Sequence, residues 1–104
     1  MNIHEWAAEQ CGFCVMTGAD DREYFYRPNT AEPPYDFEWT LADARCREIV
    51  REHFKIETEL SRGFYVGWVC YSREEPYFLP NAYSGKAIAE AEINCIEAIR
   101  EEQK

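Results

Sequence analysis

The sequence predicts an α+β domain in which three helices pack with an antiparallel sheet of three to five strands, and three observations predict it. Apolar residues recur at helical spacing in three separate stretches, residues 2–10, 40–54 and 84–102. Between the second and third, Lys55 to Leu60 and Phe64 to Ser72 alternate on either side of Ser61-Arg62-Gly63, the pattern of a hairpin with half-buried strands. A chain of 104 residues that is 46% hydrophobic and 15% aromatic can cover the entropy cost of one core but not two, so residues 1–104 form a single domain, folded throughout.

The first helix starts at Asn2, whose side chain suits an N-cap with Glu5 three positions on. Ile3, Trp6, Ala7 and Gln10 share one face, and Gly12 suits the helix end. Phe13 to Met16 and Arg22 to Arg27 read as extended, joined by the turn composition of Thr17-Gly18-Ala19-Asp20-Asp21. Residues 28–38 hold Pro28, Pro33 and Pro34 and no sustained period, which makes them an irregular connection. Thr40 followed by Asp43 opens the second helix, whose inward stripe is Leu41 or Ala42, Cys46, Ile49, Val50, His53 and Phe54. Gly67 inside the second strand of the hairpin marks a bulge or a close approach of a helix. After the short extended piece Pro76-Tyr77-Phe78-Leu79-Pro80, Ser84 caps a last helix with Ile88, Ala91, Cys95, Ala98 and Ile99 toward the core.

Charge narrows the function classes. The net charge is −9, and residues 1–39 carry −6 of it: eight carboxylates against Arg22 and Arg27. Binding nucleic acid directly would require an excess of Lys and Arg on the contacting face, so nucleic acid is excluded and cationic or apolar partners are expected. No stretch approaches the ~18 apolar residues of a membrane span, and Met1-Asn2-Ile3-His4-Glu5 has neither part of a signal peptide. Five cysteines, an odd number with three of them in apolar periodic stretches, fit a reducing compartment, so a cytoplasmic protein is expected.

Four groups of residues have chemistry to weigh. Cys11-Gly12-Phe13-Cys14 is a C-x-x-C, but Cys11 falls at a helix C-terminus, where the dipole opposes a thiolate. As a zinc half-site it finds no second close pair among His4, Cys46, His53, Cys70 and Cys95. Arg47, Arg51 and Lys55 form a basic line for an anionic ligand, or are balanced by the helical pairs Asp43/Arg47 and Glu48/Arg51. His4 and His53 have no nucleophile and carboxylate around them that would make a triad. In the N-terminal segment, carboxylates are interleaved with Tyr24, Phe25, Tyr26, Tyr35, Phe37 and Trp39 and are not balanced locally. That mixture of acid and aromatic anchors suits a groove built for phosphate, or serves solubility alone. The expected contact residues are Asp20, Asp21, Glu23, Tyr24, Tyr26, Glu32, Asp36 and Glu38. No catalytic residue, metal or cofactor is expected.

Pro33-Pro34-Tyr35-Asp36-Phe37-Glu38-Trp39 running into Thr40-Leu41-Ala42-Asp43-Ala44-Arg45, then Phe64-Tyr65-Val66-Gly67-Trp68-Val69, then Ala91-Glu92-Ile93-Asn94-Cys95-Ile96-Glu97-Ala98-Ile99 keep an order that resembles the phage ABA sandwich domain. That family comprises short bacteriophage and prophage proteins. The resemblance implies an α/β/α sandwich, a phage origin and an accessory role, and it brings no catalytic residues. Together with the acidic segment, it makes the leading expectation a non-enzymatic inhibitor of a host nucleic-acid-handling defence protein of the CRISPR type. The alternatives are a protein that sequesters a small nucleotide between the aromatic hairpin and the basic line, an enzyme using Cys11 or Cys14, and an interaction module of unassigned role.

Overall fold

Asn2 opens helix α1 (Ile3–Gln10), its side-chain oxygen accepting the Glu5 N–H at 2.8 Å. Ile3, Trp6 and Ala7 of the expected face pack on the core together with Ala8 and Cys11, whereas Gln10 is exposed. Gly12, at φ +82°, ends it in the left-handed conformation that glycine adopts without strain. The computed structural model describes residues 2–21, 23–35, 37–62, 66–72, 79 and 82–103, and only the backbone of Glu23, Ser61, Arg62 and Val66. The expected turn at Gly63 and the piece from Pro76 to Pro80, Leu79 apart, lie outside the described residues.

Strands β1 (Cys14–Thr17) and β2 (Glu23–Tyr26) pair antiparallel as a two-stranded ribbon. Helix α2 (Ala44–Phe54) follows, then strands β3 (Ile56–Arg62), β4 (Val66–Ser72) and β5 (Tyr83–Gly85), which form an antiparallel sheet in the order β3-β4-β5. Helix α3 (Ile88–Glu102) closes the chain. Among the described residues the fold is thus α+β with three helices, as expected, and five strands divided between two sheets.

Two helix starts differ from the sequence reading. Asp43, not Thr40, caps α2, accepting the Arg45 N–H at 2.8 Å. Bonds from the Arg45 side chain and backbone hold the Asp43 carboxyl down at about 2. Ser84 caps nothing, because it lies in β5 opposite Val69; Ala87 precedes α3 and has no side-chain cap bond. Strand pairing competes for a residue whose local signal says cap, and here the sheet wins.

The three-stranded sheet turns Ile56, Thr58, Cys70 and Ser72 to one face, where Ile56 opposes Ser72 and Thr58 opposes Cys70. Ala91, Cys95, Ile96 and Ile99 of α3 and Cys46, Val50 and Phe54 of α2 join the same buried core. The β3–β4 register is continuous through Gly67, so the bulge expected there does not occur; Gly67 is buried opposite Ser61. Close packing requires a glycine at Gly85, where a Cβ would stand 2.5 Å from the Ala91 backbone nitrogen.

Helix α1 is tied to this core from above. Trp6 stacks on Phe54 with ring centroids 5.7 Å apart. The His4 backbone oxygen accepts from Trp39 Nε1 at 2.7 Å, and its ring Nδ1 accepts the Leu41 N–H at 3.0 Å. His4 is therefore a clip between α1 and the segment entering α2. Replacing it by Ala leaves the Leu41 N–H beside a fully buried residue without its acceptor. The expected loss is about 1–3 kcal/mol in urea unfolding, and an unchanged midpoint would show that the clip carries nothing.

Candidate binding surface

The ribbon is built by alternation. Cys14 opposes Tyr26 and Met16 opposes Tyr24 on one face, while Val15 opposes Phe25 on the other. Phe25 is 1% exposed and is ringed by aromatic side chains. Tyr35 stacks on it at 4.6 Å, and Phe13, Phe37 and Trp39 meet it edge-on at 5.2, 5.3 and 5.0 Å. Two guanidinium groups seal this cluster: Arg27 lies 4.6 Å from the Phe13 ring centre and Arg45 lies 3.8 Å from that of Phe37. Of the aromatics expected to be surface anchors, Phe25 turns its ring from β2 to the inside of the ribbon, and the half-buried Tyr35, Phe37 and Trp39 form the floor on which it rests. This overturns the reading of the segment as a continuous acid-and-aromatic surface.

Tyr24 and Tyr26 stay on the outer face and are half-buried. The turn of the ribbon closes with the Asp21 N–H donating to the Gly18 carbonyl at 3.1 Å, Asp21 itself at φ +61°. The Tyr24 hydroxyl donates to Asp20 Oδ2 at 2.8 Å, and its ring leaves no room for a side chain at Gly18. Two exposed carboxylates, Asp20 and Asp21, are thereby presented at the tip next to the tyrosine face. Glu32 is exposed but lies beyond the far end of β2 from this turn, in a 3.4 Å pair with Arg27. Glu38 is exposed on the segment entering α2, where its backbone carbonyl receives the Cys46 thiol at 3.7 Å. Of the expected contact residues, the structure groups Asp20, Asp21 and Tyr24, and places Tyr26 on the same face; Asp36 and the Glu23 side chain lie outside the described residues.

Sequence reasoning missed Val15 and Met16, which are 55% and 44% exposed and are, with Leu60, the large apolar residues left open among the described residues. All four residues of β1 are exposed. The signal was available in Cys14-Val15-Met16-Thr17, an uncharged strand in a strongly acidic segment.

The basic line is surface only at its far end, Arg51 and Lys55. Arg47 is 5% exposed and Glu92 only 1%: Arg47 Nε donates to Glu92 Oε1 at 2.8 Å, and Arg51 Nη1 and Thr58 Oγ1 both donate to Glu92 Oε2 at 2.9 Å. Arg47 also donates to the Leu41 and Ala42 carbonyls, each at 3.0 Å. Neither reading of Arg47 and Arg51 from sequence holds, since their partner is on α3. The open groove by Lys55, about 330 Å³, sets Arg51 and Lys55 against Glu52 and Glu57 and so has no preference for an anion. The larger open groove, about 550 Å³ along α3, is rimmed by Glu97, Glu101 and Glu102 with Arg100.

The thiols have structural surroundings. Cys11 is buried, and desolvation outweighs the nearby Arg27 to push it up to about 11. Cys14 is exposed on β1. Cys70 and Cys95 are both fully buried between β4 and α3, and the neighbouring Cys70 thiol together with burial pushes Cys95 upward. His53 lies edge-on to Phe54 at 4.8 Å, and burial, aided by Arg27, lowers its pKa, favouring the neutral ring. Among the described residues, no three His, Cys, Asp or Glu side chains converge as metal ligands would, and no helix is long and apolar enough to cross a membrane. No family model, curated protein or solved structure matches the chain.

Proposed function

We propose that this protein is a non-enzymatic binding module that docks on a cationic protein surface through the β1–β2 ribbon. The observation that carries the reading is the grouping of the exposed carboxylates of Asp20 and Asp21 with Tyr24, Tyr26, Val15 and Met16 on one projecting element. Apolar area supplies affinity and the acid supplies steering and orientation. The net charge of −9 adds a long-range attraction for a basic partner. The resemblance to small phage proteins points to the narrower form of the proposal: inhibition, in the host cytoplasm, of a nucleic-acid-handling defence protein such as a CRISPR effector, with the acidic tip standing in for phosphates.

The test is capture of binding partners from host lysate by the tagged protein at low and high salt, followed by affinity measurement on what is retained. A basic, nucleic-acid-binding protein held at low salt and released at high salt is expected. Reversing Asp20 and Asp21 to Lys should weaken it by about tenfold or more, since each exposed pair contributes ~0.2–1 kcal/mol and reversal replaces attraction by repulsion. Unchanged affinity after the reversal would sink the proposal.

A further inference from the structure

The hydrogen-bonding direction of β1 says how a partner is held. Tyr35 donates its N–H to the Phe25 carbonyl at 3.0 Å, so the Phe25 backbone points away from β1. In an antiparallel ladder the two residues of such a pair both turn their N–H and C=O groups outward. Val15 is the residue opposite Phe25, and Thr17, two positions on, has the same direction. The N–H and C=O of Val15 therefore lie on the outer edge of β1, where no described residue pairs with them.

Natural edge strands are guarded by charge, proline, bulges, shortness or a covering segment. The edge of β2 is covered at Tyr35, β3 carries Glu57 and Glu59, and β5 has only three residues. Strand β1 is short, at four residues, but carries no charge, no proline and no bulge, and no described residue covers it: its residues are Cys14, Val15, Met16 and Thr17, all exposed. A second copy is a poor occupant, because it would bring another net charge of −9 against the first over an edge of four residues. An extended segment bearing Lys or Arg is a good one. Such a strand, paired at Val15 and running on past Thr17, reaches the tip where Asp20 and Asp21 stand, and its alternate residues lie beside Cys14 and Met16 on the tyrosine face.

We propose that β1 is a strand-addition site: an extended, basic polypeptide segment pairs with the Val15 edge and places its Lys or Arg side chains on Asp20 and Asp21. This rests on the binding reading above and names the form of the partner.

The experiment uses a displayed library of random twelve-residue peptides selected against the full-length protein. Enriched peptides are expected to alternate apolar and Lys/Arg residues. Val15→Pro removes the outward N–H without taking a hydrogen bond from the β1–β2 ladder and places a ring at the edge, and it should weaken them about tenfold or more, as loss of one interfacial backbone bond with exclusion of the strand would. Val15→Thr keeps that N–H and should bind nearly as well as the native chain. Amide exchange on the native chain gives an answer independent of either variant: the Val15 amide exchanges freely alone and becomes protected in the peptide complex, whereas the Met16 amide, already bonded to β2, changes little. Basic peptides that depend on Asp20 and Asp21 but bind Val15→Pro equally, without protecting the Val15 amide, would overturn strand addition and leave the binding reading standing. Enriched peptides without basic residues, or none enriched at all, would overturn both. A sedimenting dimer whose Val15 amide is already protected would assign the edge to a second copy and overturn the proposal.

Discussion

Glu92→Leu is expected to lower the unfolding free energy by about 3–5 kcal/mol, the usual cost of leaving a buried charge without its partner. Glu92 accepts from three donors, and of these Arg47 cannot follow the change, because it is nearly inaccessible and held at both ends. Its remaining bonds, to the Leu41 and Ala42 carbonyls, satisfy hydrogens but not charge. Arg51, whose side chain is 31% exposed, can turn to water and costs less. A domain of this size has only about 5–15 kcal/mol in total, so the variant should be visibly frayed or unfolded at 37 °C. The double variant Arg47→Met with Glu92→Leu should recover most of the loss, because a buried ion pair replaced by apolar side chains of similar volume is often neutral or stabilising. Urea unfolding read at the midpoint, with an unchanged slope, measures both. A single-variant loss below about 1 kcal/mol would mean that water reaches Arg47 and that the network is not closed.

Phe25→Ala should cost a similar amount, about 3–5 kcal/mol, from the lost transfer energy and the cavity left among four rings. Its consequence is local before it is global. Among the described side chains of the ribbon Phe25 alone is fully buried, and Tyr35, Phe37 and Trp39 pack around it. Removing it frees β1 and β2 from the floor while α2, α3 and the three-stranded sheet keep their own core. Amide exchange should then rise first in residues 14–17 and 23–26, and partner binding should fail under conditions where the rest remains folded. Tyr24→Ala, one residue away on the opposite face, should cost about 1 kcal/mol or less, since it empties no core. Equal losses at the two positions would contradict the ribbon's alternation.

The two sites differ in how far the sequence could reveal them. Alternation in β3 and β4 and the turn composition at 17–21 are local signals, and both hairpins pair where those signals lie. Helical period identified α2 and α3 for the same reason, while the capping residues went astray at Thr40 and Ser84, where neighbouring turns and strands compete for the same polar group. Arg47 and Arg51 followed the three-and-four spacing of surface ion pairs, yet their carboxylate is Glu92, 45 residues from Arg47. No local pattern carries that information.

Composition and periodicity by themselves determined the α+β class and a strong negative charge concentrated in the first third of the chain. Burial of the aromatics under the ribbon, the inward turn of the basic line and the open edge at Val15 were decided only by the tertiary structure. The physical reason is range: helix, strand and turn preferences act over a few residues, whereas burial, ion pairing and the direction of a strand's free hydrogen bonds depend on which distant segment folding brings alongside.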